Sequence, residues 1–127
     1  MNKYGTVGLA IVSGFTLGAV AVENLRAQST APVFIVGEIE VTDQAGYREF
    51  AAKSQAGIRA AGGQLLVIGG SPIPLIGEPP KARIVIHQWQ SMDQMRKWFD
   101  SPEQTELRKE QARYAKARAF AVEGISR

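Results

Sequence analysis

The chain predicts an α+β fold, a ferredoxin-like βαββαβ sandwich, on three observations. Segments of strand and helix period follow one another as strand, helix, strand, strand, helix, strand between Val33 and Glu123. Glycine pairs and a proline-rich turn separate them, at Gly62-Gly63, Gly69-Gly70 and Gly77-Glu78-Pro79-Pro80-Lys81. The first and third strands are apolar on both faces for most of their length, which belongs in the middle of a sheet.

The first strand is Val33-Phe34-Ile35-Val36-Gly37-Glu38-Ile39-Glu40-Val41. Val33 and Ile35 point one way and Phe34 and Val36 the other; further along, Glu38 and Glu40 share one side against Ile39 and Val41. Thr42-Asp43 offers N-cap chemistry for a helix whose inner stripe is Tyr47, Phe50, Ala51, Ser54, Ile58 and Ala61. Gly62-Gly63 ends that helix. A second strand covers Gln64 to Ile68. Gly69-Gly70 reads as a bulge, and Ser71-Pro72-Ile73-Pro74-Leu75-Ile76 as a continuation confined by its prolines to a sheet edge.

The third strand is Arg83-Ile84-Val85-Ile86-His87-Gln88-Trp89. Ser91 caps the next helix, whose buried side is Met92, Met95, Trp98 and Phe99. Asp100-Ser101-Pro102-Glu103 breaks and restarts it, with Ser101 as cap and Pro102 in the first turn. The charged continuation is expected to reach about Ala117, anchored by Leu107 and Tyr114, and the last strand to run from Ala119 to Glu123.

Residues 1–29 have the layout of a secretory signal: Lys3, an apolar run from Val7 to Val22, then a polar stretch ending Ala27-Gln28-Ser29. The expected organisation is therefore an N-terminal apolar signal peptide or anchor helix over 1–29 and a ferredoxin-like domain over 30–127. A cleaved signal implies a periplasmic or secreted protein. An uncleaved one implies anchoring in the inner membrane through residues 7–22, although that run is short for a span.

Composition excludes several functions. Without cysteine there are no disulfides, thiolate nucleophiles or cysteine-held metals, and a single histidine removes most zinc sites, so no metal is expected. Of 15 basic and 12 acidic residues, Lys3, Arg26 and Glu23 fall in the leader, which leaves a balance of +2 and little reason to expect nucleic acid. The glycine pairs are not a phosphate cradle, because Gly62-Gly63 follows a helix and precedes a strand. In a split βαβ sheet the helices cover one face only. Strands that are apolar on both faces then predict a homodimer through the helix-free face.

The ordered set of Val36-Gly37-Glu38-Ile39-Glu40-Val41-Thr42-Asp43, Tyr47 and Phe50, the three glycine turns, Ser91-Met92, Trp98-Phe99-Asp100-Ser101-Pro102-Glu103 and Val122-Glu123-Gly124 resembles the domain of unknown function 1330 family, of the dimeric α+β barrel superfamily. The resemblance spans Val33 to Gly124. It implies a sandwich that forms a dimeric α+β barrel, and it assigns no chemistry. The chain departs from the family pattern in having Ile68 where an arginine is common before paired glycines, Gln104 where an aromatic is common, and Gln111 in place of a further arginine. Where those groups accept an anion in relatives, this chain has lost much of that pocket.

The candidate catalytic residues are His87 and Glu38. A proton shuttle at His87 needs a partner to hold its tautomer, and Glu38 lies on the neighbouring strand; the competing reading is a histidine satisfied near the strand end or at the dimer seam. Trp89, Trp98 and Tyr47 are candidate ligand-binding residues, competing with plain core or interface packing. Ser101 beside Asp100 resembles a nucleophile with a carboxylate, but a helix restart explains both. No cofactor is expected. Three functions follow: a dimer that binds a small organic molecule or acts structurally, a cofactor-independent isomerase or monooxygenase using His87 and Glu38, and a membrane-tethered accessory subunit.

Overall fold

The computed structural model describes residues 31–126. Its elements run β1 (Val33–Val41), α1 (Gln44–Ala60), β2 (Gln64–Gly70), β3 (Arg83–Trp89), α2 (Met92–Phe99), α3 (Pro102–Tyr114) and β4 (Ala115–Glu123). The four strands form one antiparallel sheet in the order β2-β3-β1-β4. The two strands that are apolar on both faces, β1 and β3, are the central pair, as their sequences require.

The helix starts follow local chemistry. Asp43 accepts a hydrogen bond from the Gly46 amide, Ser91 from that of Gln94, and Ser101 from that of Gln104, with Pro102 opening α3. Gly62, at φ +97°, ends α1 in a conformation that side chains rarely adopt. Val33, Ile35 and Ile39 of β1 are buried under the helices, and Val33 and Ile35 pack with Ile58, Trp89 and Met95 into one core. Phe34, Val36 and Glu38 point to the opposite, helix-free face.

The expected dimeric α+β barrel is corrected by this topology. The sheet is open: β2 and β4 are its two edges, separated by β3 and β1, and no ladder joins them. The signal or anchor helix expected over 1–29 lies outside the described residues, so neither a signal peptide nor a periplasmic location gains support. Among the described residues no helix is long and apolar enough to cross a membrane.

Two boundaries also differ. Helix α3 stops at Tyr114, not near Ala117, and β4 begins at once with Ala115. The Tyr114 carbonyl accepts the amides of Thr42 (2.8 Å) and Asp43 (3.1 Å), which draws the chain into the ladder with β1 earlier than its sequence suggests. Ser71 to Ile76 forms no strand. Pro72 and Pro74 remove the donors that an edge ladder needs, and Ile73, Leu75 and Ile76 stand exposed.

Candidate active site

The site forms where the helical layer stands away from the sheet. Helix α3 has no buried residue, and the residues of β4 beneath it, Ala117 and Ala119, are small and exposed. Between them lies a cavity of about 130 Å³. Its floor comes from Ile35, Gly37, Val85 and His87 of the central strands. Its roof comes from Phe50, Ser54 and Ile58 of α1, with Trp98 and Phe99 from the end of α2 and Gln104, Arg108 and Gln111 from α3.

His87 is 5% exposed and is the buried polar residue of the described structure. Its Nδ1 accepts a 2.7 Å hydrogen bond from the indole Nε1–H of Trp89. Since an indole nitrogen can only donate, Nδ1 must hold a lone pair, and the proton of the neutral ring is on Nε2. Burial holds the imidazole pKa down at about 4, well below its usual 6.5. Protonation at Nδ1 would in addition set one N–H against another. Among the described residues Nε2 has no hydrogen-bond partner, and His87 is one of the residues that line the cavity. The site therefore sets a neutral imidazole, with its proton on Nε2, in the wall of a mostly apolar space.

Two tryptophans hold the ring in place. Trp98 meets His87 edge to face at 5.3 Å between centroids and stacks obliquely on Trp89 at 4.9 Å. Trp89 is 1% exposed and belongs to the core, where it positions His87; Trp98 reaches the cavity. Arg108 closes the rim. Its guanidinium lies 4.0 Å from the centre of the Phe99 ring and donates to the Phe99 carbonyl at 2.8 Å.

Glu38 is not brought to His87. The β1–β3 register sets Ile35 opposite His87 and Glu38 opposite Ile84, so Glu38, an odd number of residues from Ile35, points to the other face of the sheet. There it pairs with Arg118, its partner across the β1–β4 ladder. The pairing expected of His87 and Glu38 is not made within this chain. Tyr47 lies apart from both, in a second and wider groove between α1 and the β2–β3 edge.

Ile68 and Gln111, two of the positions at which the family pattern has an arginine, line that same groove. The residues that sequence reasoning missed are Gln104 and Arg108. With Gln111 they recur at spacings of four and three, one stripe of α3. The spacing is present in the sequence, but the many charges of the helix mask it.

Among the described residues no cluster of acidic or histidine side chains could hold a metal ion. No curated protein matches the chain in sequence. Several solved structures share the fold, three of them as follows. A protein of unknown function from Rhodopseudomonas palustris is 15% identical, with TM-score 0.61 over 84% of this chain and 93% of its own. SnoaB, a cofactor-independent oxygenase from Streptomyces nogalater, is 14% identical, with TM-score 0.54 over 76% and 96%. A putative antibiotic biosynthesis monooxygenase from Nitrosomonas europaea is 10% identical, with TM-score 0.51 over 77% and 93%. The family model for the domain of unknown function DUF1330 matches residues 32–125, and the chain belongs to that family.

Proposed function

We propose that this protein is a small-molecule enzyme that works without a cofactor, of isomerase or oxygenase type, acting on a phenolic or enolisable carbonyl compound. The observation that carries this reading is that His87, held through Nδ1 by Trp89 with its proton left on Nε2, lines an apolar cavity. A substrate oxygen placed against that donor can take up negative charge, because the low-dielectric walls strengthen the hydrogen bond as charge develops. A neutral imidazole suits this role, since its N–H stays in place as the pH crosses neutrality. It does not suit a general base, because the lone pair that would take the proton is already engaged by Trp89.

In the proposed reaction the substrate loses a proton from carbon or oxygen to water, and His87 stabilises the resulting oxyanion. Return of a proton at another carbon completes an isomerisation; in the oxygenase outcome the same carbanion adds to dioxygen, the peroxide is protonated, and loss of water with the remaining proton on that carbon leaves one oxygen as a carbonyl, dioxygen being the oxidant. The shared fold with a cofactor-independent oxygenase supports the reading at the level of scaffold alone.

Turnover of phenol, naphthol and hydroquinone probes by the wild type, followed by absorbance and oxygen uptake, tests this proposal. It predicts that His87→Ala, which leaves no donor, loses at least about a hundredfold in turnover, the scale seen when one oxyanion donor is removed, and that Glu38→Gln does not. Equal turnover by His87→Ala would sink it. The nitrogen spectrum of the one histidine gives a second reading: Nε2 should be protonated and should shift when a probe binds.

The helix-free face carries a related proposal, that two copies pair through it. Phe34, Val36, Ile84, Ile86, Phe120 and Val122 share that face by register, and Phe120 and Val122 are half exposed. Light scattering at micromolar concentration should give twice the chain mass; a monodisperse monomer would refute the pairing.

A further inference from the structure

We propose that the wider groove, between α1 and the β2–β3 edge, is a second binding site, for a small organic carboxylate whose acid group is taken by Arg83 and Tyr47. The groove measures about 430 Å³, within the range of small-molecule sites. Its floor is apolar, from Ile39, Ile58 and Leu65, while Tyr47, Arg48 and Arg83 stand around it and no carboxylate lines it. Such a surface fits an apolar body with a negative end.

The ion pairs among the described residues are Lys53–Glu110, Lys109–Glu106 and Arg118–Glu38, so no acidic side chain of the described residues engages Arg48 or Arg83. Arg83 is also positioned. The β2–β3 ladder slips between Ile68 and Gly70, and Gly69, at φ +69°, bends the strand there. The Arg83 stem runs beside the bend, with its Cδ 3.9 Å from where a Gly69 side chain would begin. Bulges commonly re-aim side chains in this way beside binding sites.

Tyr47 supplies the second donor. Burial pushes its phenol above the usual range, with the Arg83 charge opposing that shift. Tyr47 thus stays protonated at neutral pH, and a phenol and a guanidinium both line the groove over its apolar floor. Together they make charge-assisted hydrogen bonds to a carboxylate that a neutral amide cannot replace. The inference is independent of the reaction at His87, with whose cavity the groove has part of its wall in common, Phe50 and Ile58 among it.

The test is titration of the full chain with benzoate and hexanoate, and with benzamide as the neutral control, read by amide chemical shifts. The expected result is saturable shifts at Tyr47, Gly69 and Arg83 with at least one carboxylate. Binding should weaken about tenfold or more in Arg83→Gln and less in Tyr47→Phe, and should fall as salt is raised. The His87 Nε2 resonance should stay in place, which keeps this outcome separate from the fate of the His87 reading. Equal binding of benzoate and benzamide, shifts confined to the His87 cavity, or no saturation by either carboxylate at millimolar concentration would each overturn the proposal.

Discussion

The two faces of β1 are both apolar over its first half and do different work. On the helix-covered face Val33, Ile35 and Ile39 are sealed and a neutral histidine is held beside a cavity. On the other face Phe34 and Val36 are only half covered, and the polar residues Glu38 and Glu40 sit opposite Arg118 and Lys116 of β4. The first face has its partner within the chain, so a polar group there must be satisfied by neighbours as specific as the Trp89 indole. The second face keeps water available at its charged end, so its charges are screened and its apolar centre is left for another surface.

Trp89 is the strongest test of that difference. Trp89→Ala should cost about 3–5 kcal/mol in chemical denaturation, since it empties the most buried volume in the core and removes the donor to His87. Trp89→Phe separates the two effects. It keeps most of the packing, and it should let the His87 pKa rise because Nδ1 is freed to take a proton; an unchanged titration would show that burial alone holds the value down.

The next effect is in pH. His87 titrates at about 4 in the folded chain and near 6.5 when unfolded. Above pH 6.5 both states are neutral and the residue contributes no pH dependence. As the pH falls through 6.5 the unfolded state binds the proton first, so stability declines until about pH 4 and then levels off. The full decline is at most about 3.5 kcal/mol, because each pH unit between the two titrations is worth about 1.4 kcal/mol. Denaturation midpoints between pH 7 and 5, where carboxylates contribute little, should show this slope in the wild type and lose it in His87→Gln.

On the open face the effects should be smaller and of another kind. Phe120→Ser should change the stability of a single chain by less than about 1 kcal/mol, because the side chain is half exposed, while loosening association by about tenfold or more in sedimentation. A larger loss of stability with no change in mass would show that the face is finished within one chain. Glu38→Gln is the smallest expected effect. Its pair with Arg118, whose side chain is 76% exposed, should be worth less than about 1 kcal/mol and fade with salt, and the His87 titration should not respond.

The order of elements, the central place of β1 and β3, and the capping roles of Asp43, Ser91 and Ser101 were legible in the sequence. Each rests on local preference or on a short period, and such signals need nothing beyond a few neighbouring residues. The family was legible for the same reason, as an ordered series of local motifs. The end of α3 was not. Lys116 and Arg118 alternate with alanines, a pattern that suits a charged helix as well as an edge strand, and the two amides that dock on the Tyr114 carbonyl, those of Thr42 and Asp43, come from the far end of the domain sequence.

The site was legible only in part. His87, Trp89 and Trp98 were single residues of notable type in the sequence, and the structure assembles all three into one cluster. Their roles needed tertiary information. Whether Glu38 meets His87 depends on a register parity that a one-residue slip would reverse, and nothing local in either strand specifies it. The tautomer of His87 depends on which neighbour donates to it, and the cavity on how far α3 stands from the alanines of β4. The sequence by itself determined which elements form and in what order, because local sterics and periodicity decide those. Only the tertiary structure decided which face each side chain shares and with whom, because strand pairing and helix docking join residues that are far apart in the chain.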